Sequence, residues 1–190
     1  MDDFLRIAQR RVLEHVKKLG PNSPRKLLAY ITPGAGKSAL APLILPILQE
    51  KGIADKMLIV VPNKTLAEQS QDQFCAPWLV THFGNGDQIR TATNDINPTR
   101  GTAGYCTTYS AIAADSSQIN QYELHTNKYA VVLDECHHLK IGSRWHRAIE
   151  PLVELSHFTL LLTGTLARSD REPIAFIDYK TQGENKNANS

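Results

Sequence analysis

The stretch KLLAYITPGAGKS, residues 26–38, indicates the fold most directly. Residues 26–31 form an apolar run of strand length, and the loop TPGAGKS, residues 32–38, follows it at once. Gly34 and Gly36 permit backbone angles that let amide N–H groups converge on an anion. A helix that begins at the loop adds partial positive charge at its N-terminus. The stretch therefore predicts a strand, a phosphate-binding loop and a helix, in that order.

The loop also predicts specific contacts to a nucleotide. Lys37 is expected to reach the β- and γ-phosphates, and the Ser38 hydroxyl to ligate Mg²⁺. The fully spelled phosphate-loop pattern has glycine five places before Gly36, where this chain has Ile31. A glycine turn followed by a chance Lys-Ser pair is the alternative, and the strand-loop-helix context argues against it. The predicted nucleotide contacts in the loop are Thr32, Pro33, Gly34, Ala35, Gly36, Lys37 and Ser38.

The rest of the chain alternates between apolar runs and helix-like segments. The strand-length runs are 26–31, 57–61, 129–133 and 158–162, with weaker candidates at 89–93 and 102–107. The helix-like segments are an amphipathic stretch at 4–18 and segments at about 36–50, 64–75, 108–121 and 144–155. Strands that are apolar throughout indicate a mostly parallel sheet with helices on both faces. We therefore predict an α/β domain whose ligands bind beyond the carboxyl ends of the strands.

Composition and charge narrow the class of protein. Of the 190 residues, 42% are hydrophobic and 21% are charged, which is typical of a globular domain and not of a disordered chain. The formal net charge is +2, so any nucleic-acid binding must use a local strip of groups. Three well-separated cysteines argue against a disulfide framework and fit a reducing cytoplasm.

The ends of the chain and its longest apolar run carry further expectations. The N-terminal Met-Asp-Asp offers no basic region for a secretory signal. The apolar run 39–48 is too short to span a bilayer, so no membrane association is expected and a buried helix is. We expect one domain over residues 1–180. The polar segment 181–190 is expected to be a disordered tail or a linker.

A second candidate site follows the run at 129–133, where the sequence AVVLDECHH occupies residues 130–138. Ionised carboxylates are costly to desolvate without a partner, so Asp134 and Glu135 after a buried strand call for a cation. Asp134 is expected to hold Mg²⁺, and Glu135 to orient and deprotonate an attacking water. Two solvated acids at a strand end are the alternative, which the preceding phosphate loop disfavours.

Together, TPGAGKS and DECH (residues 134–137) resemble motifs I and II of superfamily-two helicases of the DExH type. The resemblance implies a RecA-like phosphate-loop domain that binds ATP and Mg²⁺. It also implies that His137 couples the nucleotide site to motif III and to a second domain. A zinc site at Cys136, His137 and His138 is the alternative, but the sequence shows no second ligand pair.

Two further segments extend the resemblance around the nucleotide. LRIAQRRVL (5–13) resembles the Q-motif, which implies that Gln9 reads the adenine edge with Arg6 nearby; an ordinary surface glutamine is the alternative. TGTLAR (163–168) resembles motif III, with Thr163, Gly164 and Thr165 as coupling residues and leucine where the family usually has proline. REPIAFIDY (171–179) resembles the segment that follows motif III in phage and mobile-element relatives.

Two more segments resemble the family's nucleic-acid-binding motifs. They are VPNKTLAEQ (61–69), similar to motif Ia, and GYCTTYSAI (104–112), similar to a later strand-binding motif. The resemblance implies contacts to the phosphodiester backbone, whereas helix capping is the simpler reading of the same residues. DNA is expected as the partner rather than RNA. The implied contacts are Asn63, Lys64, Thr65, Arg100, Thr107 and Thr108.

The function implied is ATP hydrolysis coupled to movement on nucleic acid. No second RecA-like domain is visible, and motifs IV to VI, with their arginine finger, have no room after Tyr179. We therefore expect that either a C-terminal RecA-like domain of a longer protein or a partner completes the site, and that turnover is slow without it. The alternatives are a restriction-system translocase subunit and a non-catalytic ATP-dependent nucleic-acid-binding module.

Overall fold

The computed structural model describes residues 5–83, 87–166 and 172–177, and the segment 181–190 lies outside them. Six parallel strands in these ranges form one sheet in the order β1-β6-β5-β2-β4-β3. The strands are β1 Lys26–Tyr30, β2 Lys56–Val61, β3 Ile89–Thr91, β4 Gly104–Thr108, β5 Tyr129–Leu133 and β6 Phe158–Thr163. The parallel α/β sheet predicted from the sequence is confirmed, with both weaker strands present.

Helices cover both faces of the sheet. They are α1 Ile7–Lys17, α2 Leu40–Glu50, α3 Lys64–Phe74, α4 Pro77–Phe83, α5 Tyr109–Ala113, α6 Ile119–Thr126 and α7 Arg144–Leu155. Successive side chains of β2 point to opposite faces, so Ile59 and Val61 join the core under α1 to α4. Leu58 and Val60 join the core under α5 to α7. Burial on both faces explains why the strands are apolar throughout.

The helix expected over residues 108–121 is wrong as a single element. It divides into α5 and α6, because the Asp115 carboxylate accepts hydrogen bonds from the backbone N–H of Ser117 and of Asn120. These local bonds compete with helical ones, and Gln118 adopts a left-handed φ of 55° before α6 begins. Helix α4 was not predicted. Within the described ranges, no helix combines the length and apolarity needed to cross a membrane.

The register of the sheet brings the ends of five strands together. Tyr30 at the end of β1 lies beside Thr163 of β6, and Val61 of β2 lies beside Thr108 of β4. Leu133 of β5 is paired with β2 on one side and β6 on the other. Loops that are distant in sequence therefore emerge at one edge of the sheet, where ligands of open parallel sheets bind.

Candidate nucleotide-binding site

The phosphate loop runs from β1 into a short 3₁₀ turn, Lys37–Ala39, and then into α2. Gly34 and Gly36 adopt φ values of 76° and 82°, a left-handed conformation that favours glycine. A side chain at Gly36 would be strained by this backbone conformation. Its Cβ would also lie 2.5 Å from Nε2 of Gln9, so the Gln9 amide would have to move. The two glycines of the predicted phosphate loop therefore occupy positions whose backbone conformation favours glycine.

Two side chains at the start of α1 hold the phosphate loop by donating hydrogen bonds to two of the loop's carbonyl groups. The Gln9 side chain donates from Nε2 to the Gly36 carbonyl at 2.8 Å, and Arg6 donates from Nη1 to the Gly34 carbonyl. In a trans peptide the N–H points opposite to the C=O, so the Lys37 N–H faces away from α1. The Ala35 N–H, in the peptide whose carbonyl Arg6 binds, donates to the Thr32 carbonyl at 3.1 Å and so closes the loop on itself.

Gln9 is placed differently from an ordinary surface glutamine. It is 5% exposed, and its Oε1 accepts from the backbone N–H of Arg6 at 2.9 Å. Its amide therefore binds the chain at both ends, while one N–H and one lone pair stay open in principle. Adenine recognition by Gln9 stays a prediction, and support of the phosphate loop is a role that sequence reasoning missed.

The phosphate loop meets the turn at Asp134 and Glu135 after β5, here called the acid turn, through one short ion pair. Nζ of Lys37 lies 2.6 Å from Oε1 of Glu135, and the two side chains are only 10% and 26% exposed. Partial burial raises the pKa of Glu135, but the hydrogen bond and charge of Lys37 outweigh it and leave the pKa below its ordinary value. The structure thus brings together two residues that the sequence predicted for one site.

Asp134 has the opposite electrostatic situation. Its burial raises its pKa to about 6, with the charge of Glu135 adding to the rise and that of Lys37 opposing it. Its Oδ1 accepts from the backbone N–H of Glu135 at 3.0 Å. A carboxylate that is disfavoured in its ionised form lacks a counter-charge, which is the condition a bound cation would correct.

The residues after β6 close the site from the side of the acid turn. The Gly164 N–H donates to Oε2 of Glu135 at 3.4 Å, and Nδ1 of His137 lies 3.2 Å from the same oxygen. His137 also lies 3.1 Å from Oγ1 of Thr163, which in turn bonds the backbone of Thr165. The four predicted coupling residues therefore form one connected group around Glu135.

The donor set fits a hard divalent cation. Hydroxyl and carboxylate oxygens from Ser38 and Asp134 are the ligands that Mg²⁺ prefers, with water and substrate phosphate completing the shell. Ser38 is exposed in the 3₁₀ turn, so its hydroxyl is accessible to a cation that also binds water and phosphate. No group of three His, Cys, Asp or Glu side chains that could hold a metal occurs within the described residues. The zinc alternative at Cys136 is therefore disfavoured, and the Cys136 side chain is itself fully buried.

Five of the six predicted nucleic-acid groups lie at the carboxyl ends of β2 and β4, whereas Arg100 precedes the amino end of β4 and is not brought together with them. Asn63 caps α3 by accepting from the Leu66 N–H at 3.0 Å, and Thr108 caps α5 by accepting from the Ala111 N–H at 3.1 Å. Lys64 is exposed and lies 3.9 Å from Glu68. Thr65 and Arg100 are also exposed. Capping is therefore present, and it is compatible with a second role in phosphate contact.

Thr107 lies deeper than the sequence indicated. It is 3% exposed, and its Oγ1 has no hydrogen-bond partner in the described part of the chain. It lines a pocket of about 280 Å³ that also includes Lys64, Thr108, Arg90 and Asp95. Arg90 was missed by sequence reasoning, since a cation in a weak strand gives no signal. In the structure its Nη1 donates to Asp95 at 2.7 Å and to the Pro98 carbonyl at 3.0 Å.

Similar solved structures share this fold. The UvsW helicase from bacteriophage T4 has a TM-score of 0.58 and 19% identity, covering 85% of this chain and 52% of that one. The Sulfolobus solfataricus SWI2/SNF2 ATPase core in complex with dsDNA has a TM-score of 0.62 and 18% identity, covering 85% of this chain and 32% of that one. These likenesses confirm the RecA-like fold predicted from the sequence.

Curated relatives are much longer than this chain. Uncharacterized proteins of Mycobacterium tuberculosis are 31% identical over 182 residues, and one of Mycobacterium leprae is 30% identical over 177 residues. The chain spans 28% of the length of each. Residues 4–168 match the family described as "Type III restriction enzyme, res subunit". Because the match extends over most of its length, the chain belongs to this family of helicase-type ATPase domains.

Proposed function

We propose that this chain is the ATP-binding and ATP-hydrolysing half of a motor that moves on nucleic acid. The observation that carries the proposal is the 2.6 Å pairing of Lys37 with Glu135. It joins the phosphate loop after β1 to the acid turn after β5, and these two segments have separate roles in phosphoryl transfer. Family membership and fold support the same conclusion.

In this proposal the entering phosphates take Lys37 away from Glu135. Mg²⁺ held by Ser38 and Asp134 would neutralise charge on the phosphates. Losing Lys37 removes the main influence that lowers the pKa of Glu135, so its carboxylate becomes a stronger base. Glu135 then orients the attacking water and accepts its proton. His137 contacts both Glu135 and Thr163, and these contacts would transmit the loss of the Lys37 ion pair to a second domain.

The proposed nucleic-acid strip consists of the exposed groups around the pocket at the N-terminus of α3. Asn63, Lys64, Thr65 and Thr108 would bind phosphates, with the buried Thr107 beside them. Contact by Arg100, which precedes β4, stays a prediction outside this strip. The SWI2/SNF2 core is described in complex with dsDNA, which supports DNA rather than RNA as the partner. These contacts would not read bases, so binding would be independent of sequence.

A second domain is part of the proposal. The chain spans 28% of its curated relatives' length, which leaves ample length in such proteins for a C-terminal RecA-like domain. That domain would supply the arginine that completes catalysis, so residues 1–180 alone would turn over slowly. Residues 181–190 would link the two domains. A reducing cytoplasm suits the three free cysteines.

A second candidate function is translocation on duplex DNA without strand separation. The family description, a restriction enzyme subunit, favours this candidate. Both candidates use the same ATP site, so they differ only in what movement does to the duplex. A strand-displacement assay on the full-length protein separates them: released single strands support a helicase, and ATP use without release supports a translocase.

The experiment on the ATP site uses this chain and its Glu135→Gln variant. Calorimetry with Mg·ATP should show binding by both proteins, because the amide is nearly isosteric with the carboxylate. Phosphate release, stimulated by a DNA oligonucleotide, should be measurable for the wild type and lost in the variant. Equal hydrolysis by both proteins would contradict the role of Glu135. ATP binding without hydrolysis, even with the full-length protein, would instead favour the non-catalytic module.

A further inference from the structure

A buried tyrosine connects the proposed nucleic-acid strip to the acid turn. Tyr109 is fully buried, and its hydroxyl donates to the backbone carbonyl of Asp134 at 2.9 Å. Its ring stacks on Trp145 of α7 with centroids 5.5 Å apart and an interplanar angle of 20°. Tyr109 is also the residue directly after Thr108. It therefore has a fixed position between two segments that the proposed function assigns to different ligands.

The carbonyl that Tyr109 binds belongs to the peptide between Asp134 and Glu135. The N–H of the same peptide donates to Oδ1 of Asp134 at 3.0 Å, so both polar groups of this unit are bonded. Glu135 has a left-handed φ of 49°, which a residue with a Cβ holds only when its surroundings enforce it. The orientation of this peptide sets the direction in which both carboxylates leave the backbone, and the Tyr109 hydroxyl is one of its two restraints.

The other end of the connection is Thr108. Its Oγ1 accepts from the Ala111 N–H at 3.1 Å and lies 3.0 Å from Oγ of Ser110. A hydroxyl that accepts in this way still has a proton to donate, and a phosphodiester oxygen in the adjoining pocket is a suitable acceptor. The Oγ1 of Thr107 in the same pocket, which has no hydrogen-bond partner among the described residues, also calls for a polar ligand.

We infer that Tyr109 is a positioning residue that transmits backbone-phosphate binding at Thr108 to the Asp134–Glu135 turn. The inference rests on the proposed function, because it assumes that the two sites bind a nucleic-acid strand and Mg·ATP. A nucleic-acid strand bound by Thr108 would restrain the first turn of α5. Tyr109, the next residue, would then restrain the acid turn, which carries both carboxylates. Strand and nucleotide should therefore bind with positive coupling, and the hydroxyl of Tyr109 should carry much of it.

The chain offers a matched control for this hydroxyl. Tyr105 lies four positions earlier, is 1% exposed, and donates from its hydroxyl to Oδ1 of Asn120 at 2.8 Å. Both tyrosines belong to the core under α5 to α7. Tyr105→Phe and Tyr109→Phe each remove one buried hydroxyl and one hydrogen bond of similar length. A merely structural role predicts the same result for both variants.

The experiment measures coupling and not activity. The dissociation constant of Mg²⁺ with a non-hydrolysable ATP analogue is determined by calorimetry, with and without saturating oligothymidylate, and the ratio is the coupling factor. By linkage the same ratio must appear when the oligonucleotide is titrated with and without nucleotide. We expect a wild-type ratio of about fivefold or more, a value below about twofold for Tyr109→Phe, and the wild-type value for Tyr105→Phe.

Each other outcome has a defined meaning. A Tyr109→Phe ratio equal to the wild type, an equal loss in Tyr105→Phe, or a wild-type ratio of one would overturn the inference. A wild type that binds neither ligand would contradict the proposed function itself, which is a different result. If Tyr109→Phe fails to fold, the backbone amide resonance of Glu135 in ¹⁵N-labelled wild type decides the question. Strand binding without nucleotide should shift this resonance, and an unmoved resonance would overturn the inference.

Discussion

Replacing Asp134 with Asn should stabilise the ligand-free protein at neutral pH, although it damages the proposed cation site. Burial raises the pKa of Asp134 to about 6, above the value of about 3.9 expected in an unfolded chain. The stability contributed by the protonated carboxyl is therefore complete below about pH 4 and is lost as the pH rises through about 6. Asparagine keeps an oxygen that can accept from the Glu135 N–H, and it does not ionise.

The size of the effect follows from the pKa. A rise from 3.8 to about 6, at about 1.4 kcal/mol per unit, corresponds to roughly 3 kcal/mol. The free energy of unfolding of Asp134→Asn, minus that of the wild type, should increase by up to this amount between about pH 4 and pH 8. Urea unfolding followed by tryptophan fluorescence, without Mg²⁺ or nucleotide, measures it. Added Mg·ATP should reverse the order, because the ionised carboxylate then gains a partner.

Asp115→Asn is a control of opposite sign. Partial burial raises the pKa of Asp115, but hydrogen bonds from Ser117 and Asn120 outweigh burial and leave the pKa below its ordinary value. The stability contributed by this carboxylate is present above its unfolded pKa and is lost as the pH falls through the lower, folded value. The variant should therefore lose stability relative to wild type as the pH rises to about 4, and the difference should then stay constant between about pH 4 and pH 8. A difference for Asp134→Asn that does not change with pH, or that follows Asp115→Asn, would refute the electrostatic reasoning.

Three further predictions concern the phosphate loop, the strand-binding strip and the sheet. Lys37→Ala should weaken Mg·ATP binding at least tenfold, on the order of 1.4 kcal/mol, and unchanged affinity by calorimetry would contradict the loop assignment. A Lys64→Ala, Thr108→Ala double variant should bind unrelated oligonucleotides equally weakly in anisotropy titrations. The wild type should show a log–log salt slope of about −1.4 on single strands, and marked sequence preference would argue against backbone contact. Gly104→Ala places a Cβ 2.1 Å from a carbonyl of β2 and should destabilise the fold by about 2–3 kcal/mol in urea unfolding. Gly20→Ala, whose Cβ meets nothing closer than 4.0 Å, should stay within about 0.5 kcal/mol, and equal effects would contradict the steric argument.

Much of the fold and the position of the site could be predicted because both depend on local sequence and on a general property of parallel sheets. Buried strands between helices appear as apolar runs, and the observed β5, Tyr129–Leu133, coincides with the run at 129–133. Once the strands are parallel, their carboxyl ends lie at one edge of the sheet, and the order β1-β6-β5 leaves only one strand between TPGAGKS and DECH. The Lys37–Glu135 contact is the result of that topology.

The features that were missed depend on contacts between residues distant in sequence. Pairing of Thr107 with Val60 inside the sheet buries its hydroxyl, and a pair of adjacent threonines does not show which one stays accessible. The bond from Tyr109 to Asp134 joins positions 25 apart and needs both strand registers to be known. The division between α5 and α6 is the exception, because the acceptor Asp115 is local and its turn signal was overlooked in favour of helical spacing.

The candidate site has an imbalance of charge that bears on its affinity for a cation. Two carboxylates share one lysine, and the lysine is committed to Glu135 at 2.6 Å. Asp134 is left with burial and a like-charged neighbour, and its raised pKa is the result. A divalent cation would relieve that destabilisation, so the free energy that Asp134→Asn adds to folding is free energy that the wild type recovers on binding the ion. A carboxylate that already had a partner would gain less free energy from a bound cation. Phosphates that draw Lys37 away would take its positive charge from both carboxylates. Nucleotide and cation should therefore bind together more tightly than either binds alone.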